Sequence, residues 1–284
     1  MSATSDFSIS GLRFQLQTAE TVAVTDDFLP FQDTGGQIDW TICLHTVELQ
    51  PPLPLRELYR DHAFFVRREG SEELRCFLDG TYGEDPYAVT KCDPESCMVT
   101  IRYKQEDSWY FSDIRRCFSH ACFEQMLAFR HRLLLHASLV DTPYGGILFS
   151  GPSGVGKSTQ AALWETYERC EVINGDRPIL YRSGSSWLAS GSPYAGSSER
   201  YVNRQVPVRA VFMLQQAADC EIEQLSLADA FRQVFPQTVV NSWNERFVDI
   251  ACDLITDLIG AVPVYHFACT PDRRSVDIIK QLFA

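Results

Sequence analysis

The sequence predicts an α/β fold in two parts: a β-rich N-terminal domain over residues 1–110, a connecting helix over 111–132, and an α/β domain over 133–284 built round a glycine loop. Three observations carry this. Up to about residue 110, short runs alternate apolar and polar residues, the period of half-buried strands. Between 146 and 165 an apolar run, Gly146-Ile147-Leu148-Phe149-Ser150, enters a glycine-rich segment, and a good helix former, Gln160-Ala161-Ala162-Leu163-Trp164-Glu165, leaves it. Beyond that point strand-like and helical segments follow one another to the C-terminus, as in layered α/β proteins.

In the first part, Leu12–Gln17 and Trp40–His45 alternate cleanly. Ala63–Arg67 and Leu74–Leu78 flank Glu69-Gly70-Ser71-Glu72 as a hairpin, and Met98–Tyr103 is a further strand. Pro51-Pro52-Leu53-Pro54 and the segment Gly80–Pro86 read as loops. Ser112 is placed to cap the connecting helix, whose Ile114, Cys117, Phe118, Ala121, Met126 and Phe129 approximate one face.

In the second part, Leu133–Val140 reads as a strand, 141–145 as a turn, and Ile147–Ser150 as the strand feeding the glycine loop. After the loop helix, a short strand from Cys170 ends at Asn174-Gly175-Asp176. Ile179–Arg182 and Trp187–Ala189 enclose another hairpin, Gly191–Arg200 is a small-residue loop, and Val208–Leu214 is an apolar strand. Helices are expected over 226–235 and 243–259, and a strand over Val262–Phe267. A last helix starts at Thr270-Pro271-Asp272, where a cap residue, a proline and an early acid coincide.

The segment Gly151-Pro152-Ser153-Gly154-Val155-Gly156-Lys157-Ser158-Thr159 fits the pattern G-x-x-x-x-G-K-[ST] from Gly151 to Ser158. In a strand–loop–helix setting this is a phosphate-binding loop. Gly151, Gly154 and Gly156 let the backbone turn its N–H groups inward, and the following helix N-terminus favours anions. Ser153, Val155 and Thr159 complete the run that would line ATP phosphates. Lys157 reaches the β- and γ-phosphates, and the Ser158 hydroxyl can hold Mg²⁺. A glycine turn that merely caps a helix leaves Lys157 unexplained. The chain has four lysines against 21 arginines, and Lys157 is the only lysine between Lys104 and Lys280. A lysine here points to a need for a compact point charge.

Phosphoryl transfer also needs a metal ligand and a group to orient or deprotonate the acceptor. Asp176 lies 19 residues after Lys157, at the carboxyl end of the next strand. In an open α/β sheet that end shares a crevice with the loop. Asp176 is therefore read as Mg²⁺ ligand, base or both, with a turn aspartate as the plain alternative. His136, in Leu133-Leu134-Leu135-His136-Ala137, reads on its own as a packed strand histidine. Arg200, Arg204 and Arg209 follow the small-residue loop. They read either as surface arginines or as groups that stabilise charge on a transferring phosphoryl.

Composition removes other classes. The net charge of −12, heavier before residue 135 than after it, argues against general nucleic-acid or membrane-surface binding. No apolar run approaches a membrane span, and Met1-Ser2-Ala3-Thr4-Ser5-Asp6 is unlike a signal peptide, so a cytoplasmic location is expected. The ten cysteines are scattered; Cys92/Cys97 and Cys117/Cys122, with His120 nearby, lack the tight C-x-x-C spacing of structural zinc sites. Reduced, mostly buried thiols are expected.

From His136 to Asp176 the chain resembles the HPr kinase/phosphorylase family and its PEP-carboxykinase-like relatives. The shared pattern is a strand histidine, a hairpin turn, a second strand, the phosphate loop with its helix, and a short strand ending in the catalytic acid. The resemblance implies a P-loop ATP-binding domain of that type and a Mg²⁺-ATP-dependent kinase acting on a serine hydroxyl. It places Asp176 as base or metal ligand, His136 in the phosphate pocket, and one arginine of Arg200 and Arg204 at the transition state. Where the family carries paired aspartates this chain has Gly175-Asp176, and where it carries glutamate after the loop serine this chain has Thr159. The variant is most similar to HPr-kinase-like proteins found beside peptide-modification systems. The expected acceptor is a serine of a peptide or small protein. A small-molecule kinase and a non-catalytic ATP-binding regulator are the two alternatives.

Overall fold

The computed structural model describes residues 3–49, 56–70, 72–80 and 85–284. The proline run at 51–54, Ser71 of the expected hairpin turn, and the centre of the 80–86 loop lie outside the described residues. The fold is mixed α/β with two sheets. The chain divides into two units, Met1–Met126 and Leu127–Ala284.

The first unit holds eight strands: β1 (Ala3–Ile9), β2 (Leu12–Thr18), β3 (Trp40–Thr46), β4 (Glu57–Arg60), β5 (Phe64–Glu69), β6 (Glu72–Phe77), β7 (Ala88–Asp93) and β8 (Met98–Tyr103). They form one sheet in the order β1-β2-β3-β8-β7-β6-β5-β4. The β2–β3 and β3–β8 pairs are parallel and the others antiparallel. Three of these strands, β1, β4 and β7, go beyond the sequence reading.

The expected single helix over 111–132 is instead two short ones, α1 (Ile114–His120) and α2 (Phe123–Ala128). Asp113, not Ser112, caps α1 by accepting from the Arg116 N–H at 2.9 Å. The chain breaks at Cys122, which sits in the left-handed region with φ 54°. The cause is the apolar run itself. Cys117, Phe118, Ala121, Cys122, Phe123, Met126 and Leu127 are all buried, and no single helical face presents them all. Phe118 is surrounded by the rings of Phe7, Phe28 and Phe14 at 5.6, 4.9 and 5.9 Å. Burial of such a ring stabilises by about 1.5–3 kcal/mol.

His120 ends α1 inside this core. Its Nδ1 lies 2.7 Å from the Arg116 carbonyl, so Nδ1 carries the proton and donates. Nε2, 2.6 Å from the Tyr87 hydroxyl, is left to accept. Both ring nitrogens are thus engaged within the protein. Burial pushes the imidazole pKa down from 6.5 to about 4. Between those pH values the unfolded chain binds a proton that the folded chain refuses, so stability rises with pH there. The contribution is fully present above 6.5 and lost as pH falls towards 4, roughly 3 kcal/mol in all. Urea midpoints should fall across that window while the His120 ring signal in NMR titrates near 4. A ring that titrates near 6.5 would contradict the buried neutral state.

The second unit contains β9 (Arg132–Leu134), β10 (Ala137–Thr142), β11 (Gly145–Ser150), α3 (Lys157–Glu168), β12 (Glu171–Asn174), β13 (Ile179–Ser183), β14 (Ser186–Ser190), β15 (Gln205–Gln216), β16 (Glu221–Gln224), α4 (Leu227–Val234), α5 (Glu245–Ala261), β17 (Val264–Cys269) and α6 (Arg273–Phe283). Strand order is β12-β10-β11-β15-β14-β13-β9, with β17 parallel to β15 and β16 antiparallel to β17. The strand expected over 133–140 is two. β9 pairs with β13, whereas β10 pairs with β11 and β12. Leu135 and His136 make the step, donating backbone N–H groups to Pro178 and Gln237 carbonyls.

Apolar residues of the central strands alternate between two cores. Ile147, Phe149, Ala210 and Phe212 join Trp164 of α3 and Val276 of α6 on one face. Leu148, Val211 and Met213 join Ala230 of α4 and Ile255 of α5 on the other. Helices thus cover both faces, which is why these strands read as continuous apolar runs. The last helix is capped by Asp272 rather than Thr270; the Thr270 hydroxyl instead donates to the Asp272 carboxylate at 2.9 Å. No helix among the described residues is long and apolar enough to cross a membrane.

Candidate functional site

The sheet topology brings the glycine loop and Asp176 together. β11 and β12 each run antiparallel to β10, which lies between them. They therefore point the same way, and the Gly151–Gly156 loop and the Gly175–Asp176 turn leave from the same edge. The cavity between them is about 240 Å³. It is lined by Ser153, Gly154, Gly156, Lys157, Ser158 and Thr159 on one side and by His136, Gly175 and Asp176 on the other. That volume falls below the ~300–1,000 Å³ of whole-ligand pockets and matches a compact anionic group better than a full nucleotide.

The loop turns as its glycines allow. Gly151, Gly154 and Gly156 have φ of 143°, 80° and 109°, and nothing stands within 4 Å of where a Cβ at Gly154 or Gly156 would project. The demand for glycine there is conformational rather than steric. Gly156 is the residue before α3 and has no side chain, so the first-turn N–H groups have no side-chain cap. The Lys157 ammonium folds back on the loop and donates to the Gly151 and Pro152 carbonyls at 3.0 and 3.1 Å. Burial lowers its pKa, and the Asp176 carboxylate opposes that shift.

A buried polar framework fixes the opposite wall. Asn174, fully buried, accepts the Asp176 and Arg177 N–H groups on Oδ1 at 3.0 and 2.7 Å. Its Nδ2 donates to the Ser192 carbonyl at 2.9 Å. Ser138 Oγ donates to the Gly175 carbonyl and Ser150 Oγ to the His136 carbonyl, both at 2.9 Å. The Asp176 backbone thereby has little freedom. Its Oδ1 lies 3.3 Å from His136 Nε2, and its Oδ2 lies 3.4 Å from Arg177 Nε. Burial lowers the His136 pKa, Lys157 adds to that shift, and Asp176 opposes it. The net lowering favours the neutral imidazole, which can hold a carboxylate or phosphate oxygen by one N–H.

No protein-family model matches the chain. No curated protein matches it either. Among solved structures, the HPr(Ser) kinase/phosphatase from Coxiella burnetii is a distant likeness: 14% identity, 52% of this chain and 87% of that chain covered, TM-score 0.31.

The side chains of the arginines expected at the site are engaged away from the cavity, although the Arg200 carbonyl accepts the Gly175 N–H at 3.2 Å and so adjoins its wall. Arg200 pairs with Glu165 of α3 at 3.1 Å. Arg204 pairs with Asp141 and Glu171 at 2.8 and 2.5 Å. Arg209 lies over the Phe283 ring. None lines the cavity. For Arg204 the reason is the direction of the chain after the small-residue loop. Tyr201 bridges Asn174 in antiparallel sense, and the Val202 N–H reaches the Ile173 carbonyl. Each further residue moves about 3.3 Å back along β12, so Arg204 arrives at Glu171, the end remote from Asp176. Residues outside the sequence reading take the vacant wall: Ala195, Ser197 and Ser198 line the cavity, and Arg177 flanks the acid. The signal for Asn174 was present, since Asn followed by Gly-Asp is the composition of a side-chain-closed turn.

Proposed function

We propose that this chain binds a nucleoside triphosphate, ATP, with Mg²⁺ at the Gly151–Thr159 loop and transfers the γ-phosphoryl group to a serine hydroxyl of a peptide or small protein. One observation carries the reading: a fixed carboxylate, Asp176, faces a desolvated lysine, Lys157, across a small cavity whose floor is a helix N-terminus. The uncapped amides and the open space over Gly154 and Gly156 suit a polyphosphate tail. The Ser158 hydroxyl and the Asp176 carboxylate are hard oxygen donors that would hold Mg²⁺. When bound, the ion would neutralise charge on the β- and γ-oxygens.

The residues divide the work. Lys157 offsets phosphate charge inside a partly desolvated loop, where each charge counts for more than in water. Asp176 accepts the proton of the attacking hydroxyl, held at Oδ1 by His136. The resemblance of residues 136–176 to HPr kinases supports a serine as acceptor.

Incubation with ATP, Mg²⁺ and separate panels of serine peptides and hydroxylated metabolites, read by mass spectrometry, tests the proposal. Phosphoserine in peptides is expected, and transfer to metabolites alone would move the acceptor class. A second reading, a regulator that binds ATP without transfer, is favoured by one fact: Asp176 is the sole acid among the described residues lining the cavity. Tight binding with no transfer to any acceptor would establish it.

The displaced arginines give a further expectation. Arg200→Ala and Arg204→Ala remove exposed ion pairs of the kind that contribute about 0–1 kcal/mol. ATP affinity measured by calorimetry should stay within about fivefold of the parent chain. A larger loss would return one of these side chains to the site.

A further inference from the structure

A turn carrying two serines forms part of the cavity wall. Ser197 and Ser198 line the same space as Lys157, Ser158 and Asp176. They belong to a single short turn, Gly196–Ser198, which opens on Gly196 with φ 58° and is followed by Glu199 in the left-handed region with φ 51°. The turn lies directly on the acid. A Cβ at Gly196 would fall 3.0 Å from Asp176 Cβ and Cγ and 3.2 Å from its Oδ2. A Cβ at Gly175 would fall 1.7 Å from Ser198 Oγ. Glycine at 175 and 196 is therefore what lets the turn approach Asp176 at all; a side chain at either position would drive the serines outward.

The two hydroxyls are not equivalent. Ser198 Oγ donates to the Ala195 carbonyl at 2.6 Å and accepts from the Arg200 N–H at 3.3 Å. Its proton is committed within the turn. Ser197, one residue nearer Gly196, is exposed on the cavity wall. A serine tethered beside a base and facing a phosphate cradle needs no diffusional encounter, and such pre-positioning replaces much of the entropy cost of bringing an acceptor in.

We infer that Ser197 is a self-phosphorylation site, receiving the γ-phosphoryl group of the triphosphate bound in its own chain. The inference rests on the proposed nucleotide reading and extends it to a modification site. In the step, a bond forms between Ser197 Oγ and the γ-phosphorus while the bond from that phosphorus to the β–γ bridging oxygen breaks. The nucleoside diphosphate leaves with the electron pair, and the serine proton passes to Asp176. The only co-reactant is the triphosphate itself. Phosphate on Ser197 would add about −1.5 to −2 charges beside the Asp176 carboxylate, so the modified chain should bind a second triphosphate less tightly.

The test uses the full chain with Mg²⁺ and γ-labelled ATP and no added acceptor. Intact mass, fragment mapping and ATP calorimetry are run on the same preparation. Expected are one added phosphoryl group at Ser197, a first-order rate that does not change with protein concentration, and loss of label in Ser197→Ala, whose thermal unfolding matches the parent. Lys157→Ala should also stay unlabelled. Label on another residue, or a rate proportional to protein concentration, would overturn the inference. So would a chain that binds ATP and phosphorylates a peptide yet never labels itself, an outcome that leaves the proposed function standing. A chain that binds no ATP removes both.

Discussion

Lys157→Ala is expected to abolish measurable transfer and weaken ATP binding together, with a loss of about 3–5 kcal/mol of transition-state stabilisation. The side chain is 8% exposed and its ammonium is already held by the Gly151 and Pro152 carbonyls. The charge is thus in place before any ligand arrives. Its lowered pKa reports solvation lost to burial, and a phosphate oxygen would restore a partner for it. Alanine removes that charge and leaves two carbonyls without their donor. Because the second effect could disturb the loop on its own, the thermal midpoint of the variant is compared with the parent. Lys157→Arg separates the two: a guanidinium restores charge but presents a planar fork in place of a compact ammonium. It should keep the fold and recover little transfer. Parent-like ATP calorimetry and turnover in Lys157→Ala would remove the loop from the function.

Much of this site is local in sequence, and that part was legible. Glycine spacing, the lysine and the preceding apolar strand are contiguous, and α3 follows at once. Asp176 could be placed because β11 and β12 are joined by one helix, which makes them point the same way. What could not be placed depends on non-local pairing. Nothing in Tyr201-Val202-Asn203-Arg204 says that it runs back along β12, yet that single fact carries Arg204 away from the cavity. Ser197 and Ser198 were hidden for a related reason, since a Gly/Ser/Ala segment has no hydrophobic period to fix its position. The break at Cys122 arises because burial of a wide apolar surface outweighs helix continuity. β1 was within reach. Ser10 and Gly11, with φ of 56° and 72°, form a tight two-residue connection to β2, and Ser-Gly is a turn signal. The polar run Thr4-Ser5-Asp6 concealed the strand before it.

Asp176→Asn should keep ATP affinity near that of the parent and lose transfer by roughly 10²–10⁴-fold, the range supplied by a positioned general base. The amide is close in size to the carboxylate. The backbone hydrogen bonds that Asn174, Ser138 and Ala137 make to the 175–176 turn involve no Asp176 side-chain atom, so the turn should hold its shape. Two roles for the acid then separate. If it serves mainly as base, the loss falls on the rate constant and raising Mg²⁺ does not restore it. If it serves mainly as metal ligand, the Mg²⁺ concentration for half-maximal rate rises and excess metal recovers part of the activity. A structural replacement would do neither. His136 supplies an internal gauge. Asp176 raises its pKa against burial and Lys157, so removing the negative charge should lower it further, a change visible in the ring signals by NMR. Transfer at the parent rate in a folded Asp176→Asn chain with shifted His136 signals would show that the carboxylate touches the histidine but not the chemistry.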